Sequence, residues 1–192
     1  MLNLMDVSKK YKNFYALRQI NLKIEKGKLY LFIGENGSGK STTIKLISKV
    51  IFANSGRINN EFSKVIYLPD QCNYPKLLTV KSYLSLYLPN KNKEIDEKMK
   101  EYHLENKLIG GLSKGMQQKL GILQLLLCDA DLYLFDEPQD GLDKVSCKMF
   151  KDDIDKLVKN GKTIIISTHM RTLFKDLQPE IIKFKGGIVC EK

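Results

Sequence analysis

The chain has no tryptophan and, in 192 residues, only five prolines, four cysteines and two histidines. Cys72, Cys128, Cys147 and Cys190 are far apart and form no CxxC pair. Neither a zinc cage nor a disulfide framework is expected, and a reducing compartment fits. No apolar run approaches the roughly 20 residues that span a bilayer. The opening MLNLMDVSKK lacks the cationic and then apolar layout of a signal peptide. The expectation is a cytosolic chain, any membrane function of which would come through a partner. Arginine is scarce as well, standing only at Arg18, Arg57 and Arg171, although Lys and Arg total 32 and the net charge is +10. Nucleic-acid readers favour the forked guanidinium. Here lysine is interleaved with Asp and Glu, as over 90–107, which reads as solvated surface with no direct nucleic-acid contact.

What is present is an alternation of apolar strands and amphipathic helices on a length that suits one buried core. Leu2 to Val7, Ile20 to Ile24 and Leu29 to Ile33 read as strands, the last two joined by a turn at Gly27, forming a small sheet that leads into the core. A helix is expected after Gly39, carrying Ile44, Leu46, Ile47 and Val50 and stopping near Asn54 and Gly56. Lys64 to Leu68 reads as a strand ended by Pro69. From about Thr79 to Leu127 the periodicity is helical, broken at Pro89 and at Gly110-Gly111, and this stretch reads as an inserted lobe. Strands return at Leu132 to Phe135 and Thr163 to Ser167. Between them a helix from about Lys144 to Asn160 presents Val145, Met149, Ile154, Leu157 and Val158 on one face. That alternation predicts parallel strands with helical crossovers. Ile181 to Phe184 and Ile188 to Cys190 flank Gly186-Gly187 as a hairpin.

Two segments carry chemistry on their own residues. Gly34 to Ser41, GENGSGKS, fits GxxxxGK[ST] between a predicted strand and a predicted helix. Gly34, Gly37 and Gly39, with Glu35, Asn36 and Ser38 between them, let backbone N–H groups turn inward around phosphates at the positive end of a helix. Lys40 reaches the β and γ phosphates, Ser41 ligates Mg²⁺, and Thr42 follows in the first helical turn. Leu132 to Asp136 is an apolar strand ending in a carboxylate, which places Asp136 for Mg²⁺ and Glu137 for general-base work on the attacking water. Together these predict an α/β P-loop core that binds a nucleoside triphosphate with Mg²⁺; the first segment alone leaves kinases, GTPases and many ATPases open.

With two further segments, the chain resembles the ABC-type ATPases. Leu112 to Gln117, LSKGMQ, is similar to that family's signature LSGGQ, with Lys114 in place of a glycine and Met116 in place of the glutamine. The resemblance implies that Ser113 and Gly115 act in trans, on ATP held by a second subunit. His169, at the end of STH, resembles the family's switch histidine that contacts the γ phosphate. Tyr11, in KKYKNFYAL, resembles its adenine-stacking aromatic, a task Phe14 or Tyr15 could also fill. The family's Q-loop glutamine, a Mg²⁺ ligand, aligns with Asp70 when counted back from Leu78-Thr79-Val80. Gln71 follows one residue later and is the favoured candidate, with Asp70 as the alternative.

The resemblance implies a single domain over 1–192. It has a P-loop NTPase core with a parallel sheet, an N-terminal antiparallel β lobe and an inserted helical lobe at about 79–127. It further implies a peripheral subunit on the inner face of the cell membrane that couples ATP-driven closure with a second ATPase subunit to transmembrane permease subunits. LSKGM is closer in style to exporters than to importers. The competing reading is a soluble ABC ATPase in assembly or repair.

Overall fold

The computed structural model describes residues 1–190. Its strands divide into two sheets. β1 (Leu2–Tyr11) and β2 (Phe14–Ile24) make an antiparallel hairpin turning through Lys12, whose φ of 50° is left-handed. β4 (Ser55–Asn60) pairs antiparallel with the other edge of β1. Leu2, Leu4 and Val7 of β1 and Leu17, Ile20, Leu22 and Ile24 of β2 point inward, and polar residues between them face water, as a one-sided sheet requires.

The second sheet has six strands in the order β5-β6-β7-β3-β8-β9. They are β3 (Leu29–Ile33), β5 (Val65–Leu68), β6 (Leu132–Asp136), β7 (Thr163–Ser167), β8 (Glu180–Lys185) and β9 (Ile188–Cys190). All but β9 run parallel. β6 and β7 are buried along their whole length, because the sheet is covered on both faces. The period of two sorts their side chains. Tyr133, Phe135, Ile164 and Ile166 face α5 (Lys144–Lys159), which brings Phe150 and Ile154, and the helical lobe of α2 (Val80–Tyr87), α3 (Asn92–Glu101) and α4 (Lys114–Leu127). Leu132, Leu134, Ile165, Tyr30 and Phe32 face Ile44, Leu46 and Ile47 of α1 (Lys40–Ile47) and the antiparallel sheet.

This topology fixes where a ligand sits. β3 lies between β7 and β8, although the next parallel strand in the chain, β5, is at the far edge. The crossover leaving the carboxyl end of β3 therefore runs towards β5 while that leaving its neighbour β7 runs the opposite way to β8, and ligands of open α/β sheets bind at such a switch point. The register pairs Phe32 with Ser167 and Ser167 with Asp136, so the loops after β3, β6 and β7 emerge side by side.

Several expectations from the sequence need correction. β2 and β3 belong to different sheets, and Gly27 turns the chain from one to the other rather than closing a hairpin. α1 stops at Ile47, where Ser48 caps it and Lys49 adopts a left-handed φ of 60°, so Val50 is exposed rather than part of its apolar face. Asn54 to Gly56 mark the entry to β4, an additional strand. Val145 alone of the expected α5 face points to solvent; Ile154 is buried, Met149, Leu157 and Val158 pack against the core, and Cys147 and Phe150 join them. Among the described residues no helix is long and apolar enough to cross a membrane, and the four cysteines are free thiols.

Candidate functional site

The loop after β3 wraps the first turn of α1. Gly39 caps that helix at φ 110°, a conformation that strains any residue with a side chain, and a Cβ there would press on Leu17. The backbone N–H groups of the helix start are thereby left pointing outward, the arrangement that receives phosphate. A cleft of about 530 Å³ opens at this point, lined by Asn36, Gly37, Ser38, Gly39, Lys40, Ser41 and Thr42 on one side. Gly34 and Glu35 lie behind it, their carbonyl oxygens accepting from Lys40 Nζ at 2.8 and 3.1 Å. Lys40 is only 5% exposed, so its charge is held at the cleft floor rather than in water.

Across the cleft, β6 delivers two carboxylates with different surroundings. Asp136, buried, accepts at Oδ1 from Ser41 Oγ at 2.8 Å and from Ser167 Oγ at 2.6 Å. Tyr67 donates to its Oδ2 at 3.5 Å; burial, and then the Asp136 charge, push that phenol's pKa up and keep it protonated. Glu137 sits one residue on in a left-handed backbone (φ 47°), uncommon outside glycine and typical of strained functional loops. The Ser167 hydroxyl also accepts from the Glu137 N–H at 2.9 Å, so one serine fixes both carboxylates. Glu137 Oε1 is 3.7 Å from Lys40 Nζ, and Oε2 is 3.1 Å from His169 Nδ1. The His169 side chain is 60% exposed and lines the cleft.

The site residues expected from sequence therefore converge, with two qualifications. Tyr11 and Phe14 both line the cleft mouth as candidate adenine platforms, whereas Tyr15 points to a separate concavity between Lys10 and Arg18. Asp70 lines the cleft and also a neighbouring hollow, whereas Gln71, exposed, does not line the cleft and borders that hollow with Cys72, Asn73, Lys114 and Gln117. Of the two alternatives left by the sequence, Asp70 is thus the one that the irregular segment after β5 places on the cleft side. The oxygen donors at Ser41, Asp136 and Asp70 are of the hard kind that suit Mg²⁺, and the 2.8 Å approach of Ser41 to Asp136 shows that two of them already share one spot.

Ser113 and Gly115 do not line their own chain's cleft. Ser113 caps α4, its Oγ accepting from the Met116 N–H at 3.3 Å. Gly115 packs so tightly on the following loop that a Cβ would run into the Gly141 carbonyl oxygen. Sequence reasoning missed Ser167 as a holder of both carboxylates, and it missed Gln139 and Asp140 in the turn after Glu137. The run Glu137 to Asp140 carries three polar side chains at the end of a buried strand, a pattern that marks a turn without showing which of them faces Glu137.

A family profile described as ABC transporter matches residues 17–140. The ABC transporter ATP-binding protein NatA of Bacillus subtilis is 30% identical, over 98% of this chain and 87% of its own. The cytochrome c biogenesis ATP-binding export protein CcmA of Reclinomonas americana is 36% identical over 82% and 79% respectively. The lantibiotic transport ATP-binding protein SrtF of Streptococcus pyogenes is 30% identical over 100% and 90%. A dimeric ATP-binding cassette in a post-hydrolysis state, bound to ADP and Pi, superposes with a TM-score of 0.89 at 26% identity, covering 100% of this chain and 97% of that one.

Proposed function

The chain belongs to the ABC transporter family of ATP-binding proteins, and from that premise we propose that it works in pairs, each cleft closed over ATP by Ser113 and Gly115 of the partner subunit. It is an ATPase. The observation that carries its mechanism is the convergence of Lys40, Asp136, Glu137 and His169 at the carboxyl ends of three adjacent parallel strands. In this reading Lys40 leaves the loop carbonyls for the β and γ phosphates, and loop N–H groups hold the remaining oxygens. Tyr11 or Phe14 stacks on adenine. Ser41, Asp136 and Asp70 hold Mg²⁺, which when bound neutralises phosphate charge. Glu137 takes a proton from a water as its oxygen bonds to the γ phosphorus; the bond from that phosphorus to the bridging oxygen breaks, leaving ADP and phosphate. His169 turns from Glu137 to the γ phosphate and orients that water.

That Ser113 and Gly115 lie outside their own cleft, at a capped helix start suited to an anion, supports the paired arrangement. So does the dimeric state of the structural relative bound to ADP and Pi. The wider role follows: the energy-coupling subunit of an exporter, bound to separate permease subunits at the inner face of the membrane. The export function carried in the name of the CcmA relative supports the direction. The decisive experiment is Glu137→Gln in the full chain. Turnover is expected to vanish while an ATP-bound dimer accumulates on gel filtration, and hydrolysis near the unmodified rate removes Glu137 from the base role.

A further inference from the structure

Behind the cleft, one buried polar side chain bonded to Glu137 has no part in the mechanism above. Gln139 is 3% exposed. Its Nε2 donates to Glu137 Oε2 at 2.7 Å and approaches Asp140 Oδ1 at 3.5 Å. The opposite orientation of the amide would set its oxygen against two carboxylates, so the donor end faces Glu137. The turn that brings it there is tight: Asp140 N–H bonds to the Glu137 carbonyl at 3.1 Å, and Leu142 N–H bonds to the Gln139 carbonyl at 3.1 Å. The amide oxygen, in contrast, is buried with no hydrogen-bond partner among the described residues. A side chain kept for packing would not carry that unpaired oxygen. The site tolerates it for the sake of the other end of the amide.

The remaining contacts to the Glu137 carboxylate are transient by the logic of the reaction. Lys40, 3.7 Å away, is needed at the phosphates, and His169, 3.1 Å away and mostly exposed, must swing to the γ phosphate. Only the Gln139 amide is neutral, buried and anchored in the same turn as the base. We propose that Gln139 is a positioning residue for Glu137, holding its carboxylate in the orientation that receives the proton of the attacking water once Lys40 and His169 have turned to ATP. The inference rests on Glu137 being the base.

The test compares Gln139→Met, unbranched but unable to donate, with the unmodified chain and with Glu137→Gln. A lost hydrogen bond to a charged group corresponds to roughly a ten- to hundred-fold fall in kcat. KM for ATP is expected within about twofold, and the melting temperature equal or higher, because the unpaired buried oxygen is gone. Gln139→Leu provides a second donor-free shape should the Met variant fold poorly, with the same expectation. On the Glu137→Gln background, Gln139→Met is expected to leave the ATP-bound dimer intact, which a merely structural role would not. A kcat within twofold of the unmodified chain overturns the proposal, as does a fall in kcat that comes with a raised KM and a lowered melting temperature. Should Glu137→Gln itself hydrolyse ATP at the normal rate, the base assignment falls and Gln139 with it. A dead Glu137→Gln beside an unimpaired Gln139→Met sinks the positioning role alone.

Discussion

Asp153 of α5 is buried, 4% exposed, and it ties the helical lobe to the core. Its Oδ2 accepts from Tyr102 Oη at 2.8 Å and its Oδ1 from Lys98 Nζ at 2.7 Å, with Lys156 at 3.4 Å. Burial, and then the Asp153 charge, push the Tyr102 pKa up, so the phenol remains a donor. Burial pulls Lys98 down, but Asp153 and Glu101 more than offset this and raise it, so the ammonium stays charged. Asp153→Ala strands Tyr102 and takes one of two carboxylates from Lys98. The Tyr102 hydroxyl, on a side chain only 1% exposed, costs about 1–3 kcal/mol when left unpaired. Lys98 keeps Glu101 at 2.8 Å, so its loss is smaller. Breaking such a buried pair from one side typically costs about 3–5 kcal/mol, and about 3 kcal/mol is expected here because Lys98 retains that second carboxylate. Urea unfolding is the assay: with a slope of about 2 kcal/mol/M, the midpoint should fall by roughly 1.5 M. Tyr102→Phe, which removes a donor without stranding a charge, should cost about 1 kcal/mol. A loss below about 1 kcal/mol for Asp153→Ala would refute the view that this carboxylate joins the lobe to the core.

Asp143 caps α5, accepting from Ser146 N–H at 2.8 Å and from Ser146 Oγ, while Lys119 reaches it from α4. Those Ser146 bonds, then Lys119, hold its pKa down from 3.8 to about 2. A lowered folded value means that its contribution is complete above about pH 4 and fades as pH falls towards 2, so acid unfolding of Asp143→Asn should be less steep in that window. Asp143→Ala should lose about 1 kcal/mol at neutral pH by thermal or urea unfolding, a neutral result arguing against the cap. Asp70→Ala should weaken Mg²⁺-dependent nucleotide binding severalfold and Gln71→Ala should leave it near normal, measured with a fluorescent ATP analogue; the reverse ranking would return the metal role to Gln71. Mixing Ser113→Arg with Lys40→Ala subunits should restore ATPase activity above either alone by rebuilding one composite cleft, and no gain would count against action in trans.

What could be read from the residues was whatever chemistry is written locally. The loop over Gly34 to Ser41 and the strand ending at Asp136 carry their function in adjacent positions, so strand, turn and helix follow from period and composition. β4 was hidden because SGRINN is polar and mostly exposed, a strand made by pairing with β1 rather than by its own apolar pattern. The choice between Asp70 and Gln71 depends on how an irregular segment leaves β5, and one residue of slip there exchanges the cleft side for the outer side. Gln139 was illegible for a related reason: after a proline, a glutamine reads as turn filler, and only the fold shows that its amide is buried against Glu137.

The placement of these parts ties the two halves of one subunit together. Gly115, which the proposed pairing sets against the partner's ATP, rests its backbone against Gly141, two residues past Gln139 in the turn that holds Glu137. Lys119 of the same helix reaches Asp143 at 3.2 Å, at the start of α5. α5 is in turn bound through Asp153 to α3 of the lobe. A displacement of α4 on closing over the partner's nucleotide is therefore felt directly by the turn carrying Glu137, because close-packed backbones transmit a shift rather than absorb it. On the proposed pairing, each subunit presents Ser113 and Gly115 to its partner and Glu137 to its own nucleotide from opposite sides of one contact, so coupling between the two clefts needs no long-range route.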